Sequence, residues 1–169
     1  MIRYTQFQTP TGQLTLAAAE QGICYIGLPG MSLDHVKRWC RKSLNMSRFE
    51  NSDAWTKEAR SQILEYFYET RQSFTFPLLH INTDFRKSVL KLVSEIPFGQ
   101  TRSYSQIALA LDKPGAIRAV GTANATNPLP IVIPCHRVLR SDGSLGGYGG
   151  GLEMKKFLLK LEWGNWQVS

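Results

Sequence analysis

Ile131-Val132-Ile133-Pro134-Cys135-His136-Arg137-Val138 is the stretch on which the reading of this chain turns. Its apolar start predicts a short buried strand, ended by Pro134, whose ring fixes φ and removes a ladder donor. Cys135 and His136 follow at once. In a regular strand two consecutive side chains point to opposite faces, so the pair acts together only if the backbone turns sharply after Pro134. A thiol and an imidazole at such a turn suggest an activated nucleophile, the alternative being that Cys135 is a small buried hydrophobe. The catalytic reading requires a base, a group to orient it and a pocket. Each has a candidate in the surrounding sequence.

Working outward, 169 residues suffice for one ordinary domain or two small packed ones, and three cysteines (Cys24, Cys40, Cys135) without C-x-x-C spacing indicate neither a disulfide framework nor a zinc ribbon. No apolar run reaches a membrane span, and Met1-Ile2-Arg3-Tyr4 lacks the apolar core of a signal peptide, which predicts an intracellular, cytoplasmic protein. The net charge of +7 makes an acidic partner plausible. Residues 1–80 carry nine Lys/Arg against seven Asp/Glu, whereas 81–169 carry eleven against six. The half with Cys135 is the basic half.

Residues 1–28 read as a small antiparallel sheet with turns at 9–12 and 20–22. Ser32 is expected to cap a helix to about Leu44, with Leu33, Val36, Trp39 and Cys40 on one face and a solvated basic cluster opposite. His35 lacks the partners of a metal site and reads as a surface residue, His80 reads as a linker residue, and no metal is expected. Asp53 is expected to cap a helix to about Thr70 that buries Trp55, Ile63, Leu64 and Phe67, with Phe74–Leu79 a short strand. Residues 79–84 read as a linker, placing the domain boundary between 1–80 and 81–169.

In the second half, Phe85–Glu95 fits an amphipathic helix burying Phe85, Val89, Leu92 and Val93. Ser103 and Gln106 form a capping box for Tyr104–Leu111. After the turn 112–115, a second short helix runs from Ala116 to about Asn124, completing a helix-turn-helix outline. Ala116, Ala119, Gly121, Thr122, Ala123 and Ala125 are small and Arg118 is the one long polar group. Such a helix offers little to base edges in a major groove, yet can press close to DNA in a minor groove; tight packing in a core would also account for it. A hairpin turn at 139–143 leads to Leu145-Gly146-Gly147-Tyr148-Gly149-Gly150-Gly151, where the backbone can approach a flat ligand. A last helix, Leu152–Trp163, is expected to turn Leu152, Phe157, Leu158 and Leu161 inward. Glu162 in its last turn opposes the helix dipole and calls for a nearby cation, for which His136 is a candidate.

Pro134-Cys135-His136-Arg137-Val138, the Ser103-Tyr104 helix start, Arg118-Ala119-Val120-Gly121, Asn127-Pro128 and Gly146-Gly147-Tyr148-Gly149-Gly150, in this order, resemble the O6-alkylguanine-DNA alkyltransferases. The likeness is strong over about 84–163 and only compatible over 1–80. It implies an α+β fold: a small N-terminal antiparallel sheet with helices, supporting and packed on a helical C-terminal DNA-binding domain of winged helix-turn-helix type.

The resemblance implies repair of O6-alkylguanine, and of O4-alkylthymine, in double-stranded DNA by irreversible transfer of the alkyl group to Cys135. The protein would be a single-turnover methyltransferase, a monomer without cofactor or obligatory protein partner, associated with the nucleoid in a prokaryote. Cys135 would be the nucleophile and His136 the base reaching it through a water. Glu162 would orient and charge the imidazole, an imidazolium lowering the thiol pKa. Asn127 would tie the recognition helix to the active-site turn. Arg118 would fill the gap left by the flipped nucleotide, with Ala119, Gly121 and Thr122 on the DNA-facing helix. Tyr104 would help to turn the nucleotide out and donate a hydrogen bond to the departing guanine. Val138, Tyr148, Gly149 and Pro130 would line the base pocket. Some family members carry serine at the place of Gly149, so electrophilic assistance is weaker here or the pocket is wider. Two other readings are a winged-helix DNA-binding regulator with a structural cysteine and a papain-type cysteine hydrolase.

Overall fold

The computed structural model describes residues 1–164 and divides into two compact units, Met1–Ile81 and Asn82 onward; the end of the expected 81–169 segment lies outside the described residues. No helix among them is long and apolar enough to cross a membrane.

The first unit is built on a sheet of order β3-β2-β1-β4. β1 (Ile2–Thr9), β2 (Gly12–Ala19) and β3 (Gly22–Gly27) form the antiparallel meander that the turn signals indicated. Helix α1 (Leu33–Leu44) starts where Ser32 accepts from the His35 N–H and buries Val36 and Cys40. β4 (Phe49–Asn51), parallel to β1, was not anticipated, because three residues carry no period. α2 (Lys57–Phe67) begins after Thr56, later than expected, and ends before Thr70. Asp53 does not cap it. Its carboxylate instead accepts from the Thr5 hydroxyl and pairs with Arg60. Trp55 is 44% exposed rather than buried, with the Arg3 guanidinium 4.3 Å from its ring centre, and Leu64 is only half-buried. Phe74–Leu79 makes a single bridge, Leu78 to Ile23, and no strand.

The second unit packs α3 (Asp84–Ser94) and α4 (Tyr104–Ala110) around α5 (Ile117–Ala125). The Ser103–Gln106 capping box of α4 is present in full. α3 buries Val89, Leu90 and Val93, while Phe85 and Leu92 are half-buried. β5 (Arg102–Ser103) pairs with β6 (Val138–Leu139) in parallel, so the 140–144 turn has no returning strand of its own. Its closure rests on Arg140 N–H to Ser144 O (2.9 Å) and Gly143 N–H to Arg140 O (2.9 Å). α6 (Leu152–Trp163) buries Met154, Lys155, Leu158, Leu159 and Glu162. Leu152, expected inward, is 49% exposed.

Candidate active site

The strand expected at Ile131–Ile133 does not form, although Ile131 and Ile133 are buried. Pro128, Pro130 and Pro134 strip the segment of ladder donors. The chain turns instead, with Ile131 at φ 73° and the Ile133 N–H donating to Leu129 O (2.9 Å). Cys135–Arg137 is then a single 3₁₀ turn, the sharp bend that brings thiol and imidazole onto one element. Asparagine side chains stand in for the missing ladder. Asn127 Nδ2 donates to Ile133 O (2.9 Å) while its Oδ1 accepts from the Leu129 N–H (2.9 Å). Asn124, overlooked in the sequence, donates from Nδ2 to Cys135 O (3.1 Å). Asn124 is in the last turn of α5 and Asn127 lies just beyond its C-cap Thr126, so the pair share no helix face that the sequence could have revealed.

His136 is fully buried, with Nε2 2.7 Å from Glu162 Oε1. The cation that Glu162 requires is Arg137, not His136. Arg137 Nε donates to Glu162 Oε2 and its Nη2 to Oε1, each at 2.9 Å, and Nη1 donates to Ile96 O (2.6 Å). The Gly99 N–H adds a contact to Oε2 (3.2 Å). Burial pushes the Glu162 carboxyl up, but hydrogen bonds and charge from its partners outweigh it and hold the pKa down at about 2. Burial lowers His136 more than Glu162 raises it. With Arg137 already neutralising Glu162, the coupled state is carboxylate, guanidinium and neutral imidazole. A neutral ring whose Nε2–H faces a carboxylate offers its lone pair at Nδ1, which is buried and bonded to no protein group.

Burial also raises the Cys135 thiol to about 11, against the opposing pulls of Asn127 and Lys155. The resting pair is therefore thiol and imidazole, whereas the sequence reading expected thiolate and imidazolium. Lys155 was not anticipated. It is fully buried, and its ammonium donates to the carbonyls of Val138 (2.7 Å), Gly147 (3.3 Å) and Leu145, fastening the glycine-rich segment to β6. Burial lowers its pKa to about 8. Among the three lysines of α6, nothing in the sequence marks Lys155 for burial.

A cavity of about 540 Å³ is lined by Tyr104, Arg118 and Gly121 on the helices and by Arg140, Gly146 and Gly147 after β6; Cys135, His136 and Glu162 are not among its lining residues. Gly146, at φ 68°, lies so close to Tyr104 that a Cβ would stand 2.7 Å from the phenol oxygen. Burial raises the Tyr104 pKa, and Cys135 raises it further, so the phenol is near enough to sense charge on the sulfur. Pro130, Val138, Tyr148 and Gly149 do not line this cavity. Pro130 and Val138 are buried, Tyr148 is half-buried and Gly149 is exposed. On α5, Arg118, Ala119 and Thr122 are exposed, the Thr122 hydroxyl turned back onto Arg118 O (3.1 Å).

Comparison with known proteins points one way. Residues 84–164 match the family model described as 6-O-methylguanine DNA methyltransferase, DNA binding domain, and residues 2–79 match its ribonuclease-like domain. A methylated-DNA–protein-cysteine methyltransferase of Methanosarcina barkeri is 44% identical over 162 residues, 96% of this chain and 98% of that one. The inducible protein of that name from Bacillus subtilis is 40% identical over 147 residues, 87% of this chain and 82% of its own. The crystal structure of Mycobacterium tuberculosis OGT in complex with DNA superposes with a TM-score of 0.83 at 36% identity, covering 96% of this chain and 93% of that one.

Proposed function

This chain belongs to the 6-O-methylguanine DNA methyltransferases, and from that premise we propose that it repairs alkylated DNA by moving an alkyl group from O6 of guanine, or O4 of thymine, irreversibly to Cys135. The observation that carries the reading is the Cys135–His136 turn, in which Glu162 holds one imidazole nitrogen and the other is left as a buried base.

The small-residue face of α5 lies along the duplex, and the damaged nucleotide swings out into the cavity while Arg118 occupies the gap it leaves. His136 Nδ1 takes the Cys135 proton through a bridging water, with Glu162 and Arg137 stabilising the imidazolium. The thiolate attacks the alkyl carbon, the carbon–O6 bond breaks, and guanine departs as an anion that Tyr104 assists by a hydrogen bond before it is reprotonated. A thioether has no activated carbonyl for water to attack, so each molecule acts once. It acts as a cytoplasmic monomer on chromosomal DNA. A DNA-reading regulator would offer long polar side chains on α5, where the exposed residues are Ile117, Arg118, Ala119, Thr122 and Ala125.

Incubation with duplex DNA carrying O6-methylguanine is expected to raise the intact mass by one methylene equivalent at Cys135, once per molecule. Cys135→Ser is expected to remain unmodified while still binding DNA. An unmodified wild-type protein would overturn the proposal.

A further inference from the structure

We propose that Arg140 is a second DNA-binding guanidinium, which holds a phosphodiester next to the extruded nucleotide from the side of the cavity opposite in sequence to Arg118. The inference rests on the function proposed above and goes beyond it by assigning a phosphate subsite to the turn after β6.

Two arginines, Arg118 from α5 and Arg140 from the segment after β6, line one cavity. Both are exposed, and among the described residues neither forms a salt bridge with a carboxylate. The carboxylate nearest to Arg140 in sequence, Asp142, is engaged with the Ser144 N–H (2.9 Å) and hydroxyl (2.6 Å). Arg137, by contrast, is buried against Glu162. The unit thus keeps its structural guanidinium paired in the core and leaves two others without a salt bridge at the mouth of a cavity, Arg140 acting on Asp142 only through space. Such a pair attracts anionic ligand.

The backbone at Arg140 is fixed on both sides, since its N–H donates to Ser144 O (2.9 Å) and its carbonyl accepts from the Gly143 N–H (2.9 Å). Ser141, also on the cavity wall, exchanges a hydrogen bond with Ser105 (2.8 Å), so a fixed hydroxyl shares that wall with Arg140. A planar guanidinium with neighbouring hydroxyls matches phosphate oxygens. An extruded nucleotide carries a phosphate on each side of its sugar. With Arg118 assigned to the gap in the duplex, the phosphate that swings with the nucleotide falls to Arg140.

The test uses the full-length protein and duplexes with a single O6-methylguanine, in which one flanking phosphate at a time is replaced by an uncharged methylphosphonate. For the wild type, one of the two replacements should weaken binding on the order of tenfold, the loss of one charge-assisted contact. For Arg140→Ala the same replacement should cost nothing further, the non-additivity expected of groups in direct contact. Arg140→Ala should also flatten the dependence of log K on log salt by about 0.9, as for one phosphate contact. Arg140→Lys should restore the salt dependence. Urea unfolding of Arg140→Ala should match wild type, which shows that the fold is intact. Additive losses at both phosphates or an unchanged salt slope would each overturn the assignment. If wild type leaves Cys135 unmodified, the proposed function fails; if wild type reacts and Arg140→Ala behaves identically, only this inference does.

Discussion

Arg137 grips Glu162 with two parallel hydrogen bonds of 2.9 Å inside a core where the carboxylate side chain has no exposure, so a charge on a helix's last turn is held by the residue two positions after the reactive cysteine. Removing one partner of a buried pair leaves the other uncompensated, at a cost of about 3–5 kcal/mol. Arg137→Ala is expected to lose that much stability in urea unfolding. Arg137→Lys should fall between, since an ammonium cannot make the fork. A loss below about 1 kcal/mol for the alanine variant would show that Glu162 is held chiefly by His136 and Gly99.

The same pair sets a pH dependence. Glu162 titrates at about 2 when folded against 4.5 as a free side chain, so its stabilisation is complete above pH 4.5 and disappears as pH falls toward 2. At about 1.4 kcal/mol per pKa unit the contribution is roughly 3 kcal/mol. Between pH 5 and pH 2 the wild type should lose about that much more stability than Glu162→Gln. Parallel curves for the two proteins would sink the assignment.

Transfer kinetics should report the neutral resting pair. Burial keeps Cys135 protonated up to about pH 11 and holds His136 below its ordinary 6.5, so neutral imidazole is the form able to accept the proton. The single-turnover rate should fall as pH drops through a midpoint below 6.5 and be level from there to about 8, where Lys155 begins to deprotonate. A thiolate–imidazolium pair would instead have its acid-side midpoint set by a depressed thiol pKa, and the free protein would show Cys135 thiolate by ultraviolet absorbance at neutral pH.

Much of this was legible in the sequence, and what was not shares a cause. The sheet of residues 2–27, the Ser32 cap and the Ser103–Gln106 box follow from local patterns that no distant contact overrides. Ile131–Ile133 misled because an apolar run reports burial and not conformation, and three prolines removed the strand that burial suggested. Asp53 had the chemistry of a helix cap, but Thr5 and Arg60 compete for its carboxylate. In the site, Cys135, His136 and Glu162 were expected from residue type and order. Arg137, Asn124 and Lys155 were not, because their roles are hydrogen bonds to groups 8 to 41 residues away.

Lys155 supplies its own test. Its ammonium serves three carbonyls, and a buried acceptor left unsatisfied costs about 1–3 kcal/mol. Lys155→Met, similar in length but without donors, is expected to lower stability by more than about 2 kcal/mol and to speed amide exchange across residues 145–151. Unchanged exchange there would show that the glycine-rich segment is held by Tyr104 and its own turns.

Gly121 is where the demands of the fold and of the ligand separate. It lies in the middle of α5, where glycine costs about 1 kcal/mol relative to alanine, and a Cβ added to it would meet no protein atom within 4 Å. Neither its space nor its backbone requires glycine, so the reason for it lies outside the chain, on the face with Arg118 and Thr122. A duplex pressed against that face supplies one, since each added carbon holds helix and DNA apart. Gly121→Ala is therefore expected to raise urea stability by about 0.5–1 kcal/mol while weakening duplex binding, and Gly121→Leu to weaken it further. Reaction with free O6-methylguanine should change least with alanine, which leaves the cavity largely open. If Gly121→Leu binds duplex as tightly as wild type, α5 does not face the DNA.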